Sequence, residues 1–106
     1  VRPATLVAVG TADAVPSTDV PGTGRVVFQN AAPASTRVVF GRRDTAKVDC
    51  AATGTGAGAR RSRPGQYVLE PGAELACKLD SGTIRYTTYT LRQGAIAEER
   101  GRLRVD

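Results

Sequence analysis

The chain has 106 residues, 41% of them hydrophobic and 24% charged, with fifteen basic and ten acidic side chains and a formal net charge of +5. That is the size of one domain and the composition of a foldable chain, and no stretch approaches the roughly 20 apolar residues of a membrane-crossing helix. With no histidine and no methionine, Ser-His-Asp and Cys-His catalysis, zinc sites with imidazole ligands, haem on His or Met, and blue copper are all excluded.

Hydrophobic periodicity predicts strands through most of the chain. Residues 4–9 form a short apolar run, and a loop over 10–23 follows, broken by Pro16, Pro21 and Gly22. Residues 25–29 read as the second strand, 30–35 as a turn, and 37–40 as the third strand, ending at Gly41. From Thr45 to Cys50 the pattern alternates and sets Ala46, Val48 and Cys50 on one face. Residues 51–65 hold four glycines and no large apolar side chain. They are predicted to be a flexible surface loop carrying Arg60, Arg61 and Arg63. Strand signals resume at 66–70, turn at Pro71-Gly72, and continue over 73–79 with Leu75, Cys77 and Leu79 sharing a face. After the turn Asp80-Ser81-Gly82, residues 83–91 are rich in β-branched and aromatic side chains. Ile84, Tyr86 and Thr88 share one face there, and Arg85, Thr87 and Tyr89 the other. Residues 93–99 read as one weak helical turn. A last strand over 101–105 turns Leu103 and Val105 one way and Arg102 and Arg104 the other. Eight short strands with frequent turns imply an antiparallel β-sandwich or barrel.

Cys50 and Cys77 match no CxxC redox or zinc spacing. Three states are open: a structural disulfide, two buried free thiols, and a two-thiolate site for Cu(I). A disulfide would close a loop of roughly 28 residues and constrain the unfolded chain by about 3–4 kcal/mol. It would also imply an oxidising compartment, a periplasm or the cell exterior. Both cysteines fall on faces assigned to the core, as an inter-sheet disulfide or a pair of inert thiols requires. The chain opens Val1-Arg2-Pro3 without a methionine, which reads as a processed or trimmed form.

Other constellations carry little chemistry. The spacing brings no two carboxylates together as glycosidase chemistry would need, so they read as solvated surface charge. The segment Gly54-Thr-Gly-Ala-Gly58 lacks the Gly-Lys-Ser/Thr ending and the following helix of a phosphate-cradling loop. Phe28, Phe40 and Tyr86 are assigned to the core and Tyr89 to the opposite face. One tyrosine beside Arg85 is not the aromatic platform of a single-strand nucleic-acid binder. The bases are dispersed along the sequence, and no specific nucleic-acid binding is expected.

The order of these pieces resembles the cupredoxins, the small copper-protein sandwiches of secreted and periplasmic electron transfer. Gly24-Arg-Val-Val-Phe-Gln-Asn30 followed by Thr36-Arg-Val-Val-Phe40 is similar to the family's strand, F-x-N turn and H-x-V-x-F strand. Leu69-Glu-Pro-Gly72 is similar to its L-x-P-G turn, and Gly82-Thr-Ile-Arg-Tyr86 with Gly101-Arg-Leu-Arg-Val105 to its last two strands. The likeness runs from about Gly24 onward. It places the family's first copper-binding His at Thr36, its Cys near Thr88, and its second His and Met between Leu91 and Ile96, where none of the ligand types occurs. The resemblance therefore implies architecture and compartment without type 1 copper.

The expected molecule is a single domain over 1–106, an all-β, Greek-key, cupredoxin-like sandwich of seven or eight strands with the flexible loop at 51–65. It is expected to be non-enzymatic and cofactor-free, an exported binding or assembly module. The 51–65 loop, with Arg60, Arg61 and Arg63, and an arginine-bearing face would meet an acidic protein or a larger assembly. The alternative is a copper-handling protein that binds Cu(I) through Cys50 and Cys77.

Overall fold

A computed structural model of the chain describes residues 5–10, 17–20, 24–53 and 58–106. Two sheets pack face to face. The four-stranded sheet has the order β1 (Thr5–Val9), β3 (Arg25–Asn30), β8 (Glu74–Leu79) and β5 (Val48–Thr53). The six-stranded sheet runs β2 (Thr18–Val20), β10 (Ala95–Val105), β9 (Gly82–Arg92), β4 (Thr36–Phe40), β7 (Gln66–Leu69) and β6 (Ala59–Arg63). A 3-10 turn, Thr45–Lys47, leads into β5. None of the described helical segments is long and apolar enough to cross a membrane.

The alternation read from the sequence sets the inner faces. Val26 and Phe28 on β3, Leu75, Cys77 and Leu79 on β8, and Ile84 and Tyr86 on β9 all point into the core. Phe28 stands edge-on to Phe40 and to Tyr86, with ring centroids 5.7 and 5.3 Å apart, and Phe40 stands edge-on to Tyr67 at 6.0 Å. Such offset pairs add about 0.5–1.5 kcal/mol each beyond their buried area.

Four local expectations are corrected. The sandwich is mixed, because β1 lies parallel to β3 and β2 parallel to β10. Two of the ten strands among the described residues, β2 and β6, fall in segments that read as loops. Both sit at sheet edges, where a strand has one hydrogen-bonded neighbour and needs little apolar signal of its own. Residues 51–53 extend β5, and 59–63 form β6 on the flank of β7; the glycines at 54 and 56 lie outside the described residues, as does most of the 10–23 loop. Ala46 lies in the 3-10 turn and is exposed, so it shares no face with Val48 and Cys50. Finally, 93–99 are not helical. Gln93 and Gly94 both take positive φ, 50° and 79°, the requirement of a two-residue hairpin turn matched to strand twist. β10 begins at once after it.

Candidate functional site

Among the described residues, two places hold polar side chains in quantity. The first is buried at the pole of the sandwich where the resemblance sets copper ligands. Asn30 ends β3 with its amide fully used: Nδ2 donates to the carbonyls of Ala34 and Leu69, each at 2.9 Å. Its Oδ1 accepts from the Ala32 backbone N–H at 2.9 Å and from the Thr36 hydroxyl at 3.0 Å. Thr36 and Thr90 are register partners on β4 and β9, and their hydroxyls lie 2.9 Å apart. Because Thr36 already donates to an oxygen that can only accept, Thr90 is the donor in that pair. Gly10, at φ 77°, closes the pole from above, where a Cβ would strike Ala32 and Asn30. Its carbonyl accepts a hydrogen bond from the Arg92 guanidinium.

This cluster does not fit a type 1 copper. Its donors are neutral hydroxyls and one amide, all engaged with each other or with backbone, and it offers neither thiolate nor imidazole. Thr88, at the family's Cys position, is buried and reaches the Glu99 carbonyl at 3.5 Å. Leu91 and Ile96 lie at the hairpin tip, 52% and 66% exposed. Among the described residues no group of three or more His, Cys, Asp or Glu could hold a metal.

The second place is the outer face of the six-stranded sheet. Residues opposite one another in register share a face, so the pairings define rows across the sheet. One row runs Arg60, Val68, Arg37, Tyr89, Glu98; the next runs Arg63, Gln66, Val39, Thr87, Arg100. Beyond them Arg85 faces Arg102, and Arg104 lies between Thr83 and Asp19. Seven exposed arginines (37, 60, 63, 85, 100, 102 and 104) thus stand on one surface against Asp19 and Glu98, with Glu70 at the rim. Most of the net charge of +5 sits there. Among the described residues, the ion pairs on this face are Arg60–Glu70 at 3.5 Å and Arg100–Glu98 at 3.8 Å, all four side chains exposed. Near the hairpin tip the same face turns apolar, with a groove of about 640 Å³ lined by Val39, Val68, Leu91 and Ile96 beside Arg37 and Arg63.

The bases that look dispersed along the chain are therefore gathered by strand register. Of the three arginines singled out from the 51–65 segment, Arg60 and Arg63 lie on this face. Arg61 pairs with inward-facing Tyr67 and projects to the other side of the edge strand. Arg37, Arg85, Arg100, Arg102 and Arg104 were not singled out as binding residues. Their signal was parity: each occupies an outward position of an alternating strand.

Cys50 and Cys77 are disulfide-bonded. They are direct register partners on β5 and β8, with Cα atoms 4.0 Å apart. The bridge joins neighbours within the four-stranded sheet and does not span the two sheets. Both sulfurs are engaged, so Cu(I) ligation by this pair belongs to the reduced chain only. Comparison with protein-family models, curated proteins and solved structures finds no match.

Proposed function

We propose that this chain is a non-enzymatic binding or assembly module of Greek-key, cupredoxin-like architecture, and that its six-stranded sheet receives an acidic protein partner. The observation that carries the reading is the gathering of seven arginines on one sheet face. Guanidinium forks match carboxylates, and a field of one sign steers an acidic surface toward it. The apolar groove beside Arg37 and Arg63 favours a polypeptide over a nucleic acid. It offers aliphatic contact where a single-strand binder would set several aromatics, and Tyr89 is the one tyrosine there. The filled polar pole accords with a family-like scaffold that has lost its metal. The disulfide accords with a periplasmic or extracellular setting.

Immobilised poly-glutamate and a glutamate–tyrosine copolymer test this at low salt. The protein is expected to bind both, and the copolymer more tightly. Arg37→Glu with Arg63→Glu is expected to weaken both by tenfold or more, whereas Arg61→Glu is expected to cost much less. Equal retention of the double variant and the unaltered protein would sink the reading.

A further inference from the structure

The geometry points to a binding site for a tetrahedral oxyanion ester, a phosphate or sulfate monoester group, in the depression between Arg85, Thr87, Arg100 and Arg102. On the β9–β10 hairpin Arg85 stands directly opposite Arg102, and Thr87 directly opposite Arg100. These four outward side chains surround a depression of about 430 Å³ whose floor is Tyr86 and Gly101. Opposed side chains on antiparallel strands have Cβ atoms about 4.5–5.5 Å apart, and successive outward residues on one strand about 6.6–6.8 Å. Three guanidiniums, each with five N–H donors, and one hydroxyl are thus spaced so that all can converge on one ligand above the floor.

The pairing makes poor sense as sheet packing. Like charges directly across a ladder are destabilising, and among the described residues neither Arg85 nor Arg102 makes an ion pair. Arg100 has Glu98 at 3.8 Å, both side chains exposed. Asp44 is near, but its carboxylate accepts the backbone N–H of Arg85 at 3.0 Å and so closes the end of the sheet. On the β4 side the neighbour of Arg85 is Gly41, whose N–H donates to the Arg85 carbonyl at 2.9 Å. The side chain that lies there is Asp44, whose carboxylate is held on the Arg85 backbone N–H beside Gly41. Sequences break local pairing rules mainly where function asks for it, and a bound anion turns this repulsion into attraction. A carboxylate is planar and fills one guanidinium fork. A phosphate or sulfate presents three oxygens in a cone, enough for all three arginines, with its ester oxygen directed out of the open mouth.

An NMR titration of the ¹⁵N-labelled protein at low ionic strength tests the site. The probes are inorganic phosphate, inorganic sulfate, and sodium chloride at matched ionic strength. Phosphate or sulfate is expected to shift the amides of residues 85–87 and 100–102 saturably, beyond any effect of chloride. Arg102→Thr is expected to lose at least tenfold in affinity while melting no lower than the unaltered protein, because the repulsion is gone. Arg102→Lys keeps the charge, loses the fork, and is expected to bind severalfold more weakly. Tighter binding of phosphate assigns a phosphomonoester; equal or tighter binding of sulfate assigns a sulfate ester. Shifts no larger than those from chloride, or full affinity in Arg102→Thr, would overturn the site. Arg37→Glu with Arg63→Glu leaves the depression intact and is expected to keep anion binding, so failure here and failure of the acidic-partner reading are separable.

Discussion

Asn30 satisfies four buried or half-buried groups with one amide, and no other side chain has two donors and an acceptor at that spacing. Each orphaned buried partner costs about 1–3 kcal/mol. Asn30→Ala is therefore expected to lower stability by about 3 kcal/mol or more in urea unfolding, and Thr36→Val, which strands only the Thr90 hydroxyl, by about 1–2 kcal/mol. A loss below about 0.5 kcal/mol in both would show that the pole contributes nothing to the fold. Tyr86 offers a second check at this scale. Burial, and then the Glu99 carboxylate, push its hydroxyl above the ordinary tyrosine value. The native state holds that proton longer than the unfolded chain does, so the associated stability is complete below pH ~10 and declines as pH rises through the raised value. Melting temperatures taken from pH 8 to 11 should fall less steeply in Tyr86→Phe than in the unaltered protein.

At the scale of the element, β10 is informative because it was half legible. Leu103 and Val105 alternate with Arg102 and Arg104, and the inward–outward assignment made from that alternation is what the structure shows. Its first half, Ala95-Ile-Ala-Glu-Glu-Arg100, has side chains that favour a helix when alone. Tertiary pairing overrides that preference: every residue from Ala95 to Val105 has a register partner on β9. The turn signal was there in Gln93-Gly94, but a hairpin turn is recognised by the strands on both sides, and one of those was disguised. Gly101 is part of the same ladder. A Cβ there would run into the ring of Tyr86, which also stands edge-on to Phe28. Gly101→Ala is expected to cost about 1–3 kcal/mol through overpacking, read from denaturant midpoints. The disulfide is likewise an element-scale device. It fixes β5, an edge strand, to β8. Its partners were legible as core-facing, but which sheet they shared was not, because that depends on strand order. Replacing both cysteines with alanine is expected to remove about 3–4 kcal/mol.

Over the whole molecule, the arginine face was the least legible feature. Arg37, Arg60, Arg85 and Arg100 are far apart in sequence and come together only when five strands are set in register. Alternation told which side of its own strand each arginine occupies, but not that those sides coincide. A surface of one sign repels itself, so added salt should screen it and raise the melting temperature between about 10 and 200 mM sodium chloride. A fall over that range would mean that attractive pairs dominate. Strand order has a further consequence, in the timing of assembly. Leu103 pairs with Thr18, 85 positions earlier, and Val105 with Val20. As the chain leaves the ribosome, β2 stays without its ladder until almost all of the described sequence has been made. The last of the described strands is inserted between two already made, β9 and β2, so the sheet closes like a book onto a late page. Such long-range closure is slow, and a chaperone that shields the β2 segment has its longest opportunity to act just before that moment.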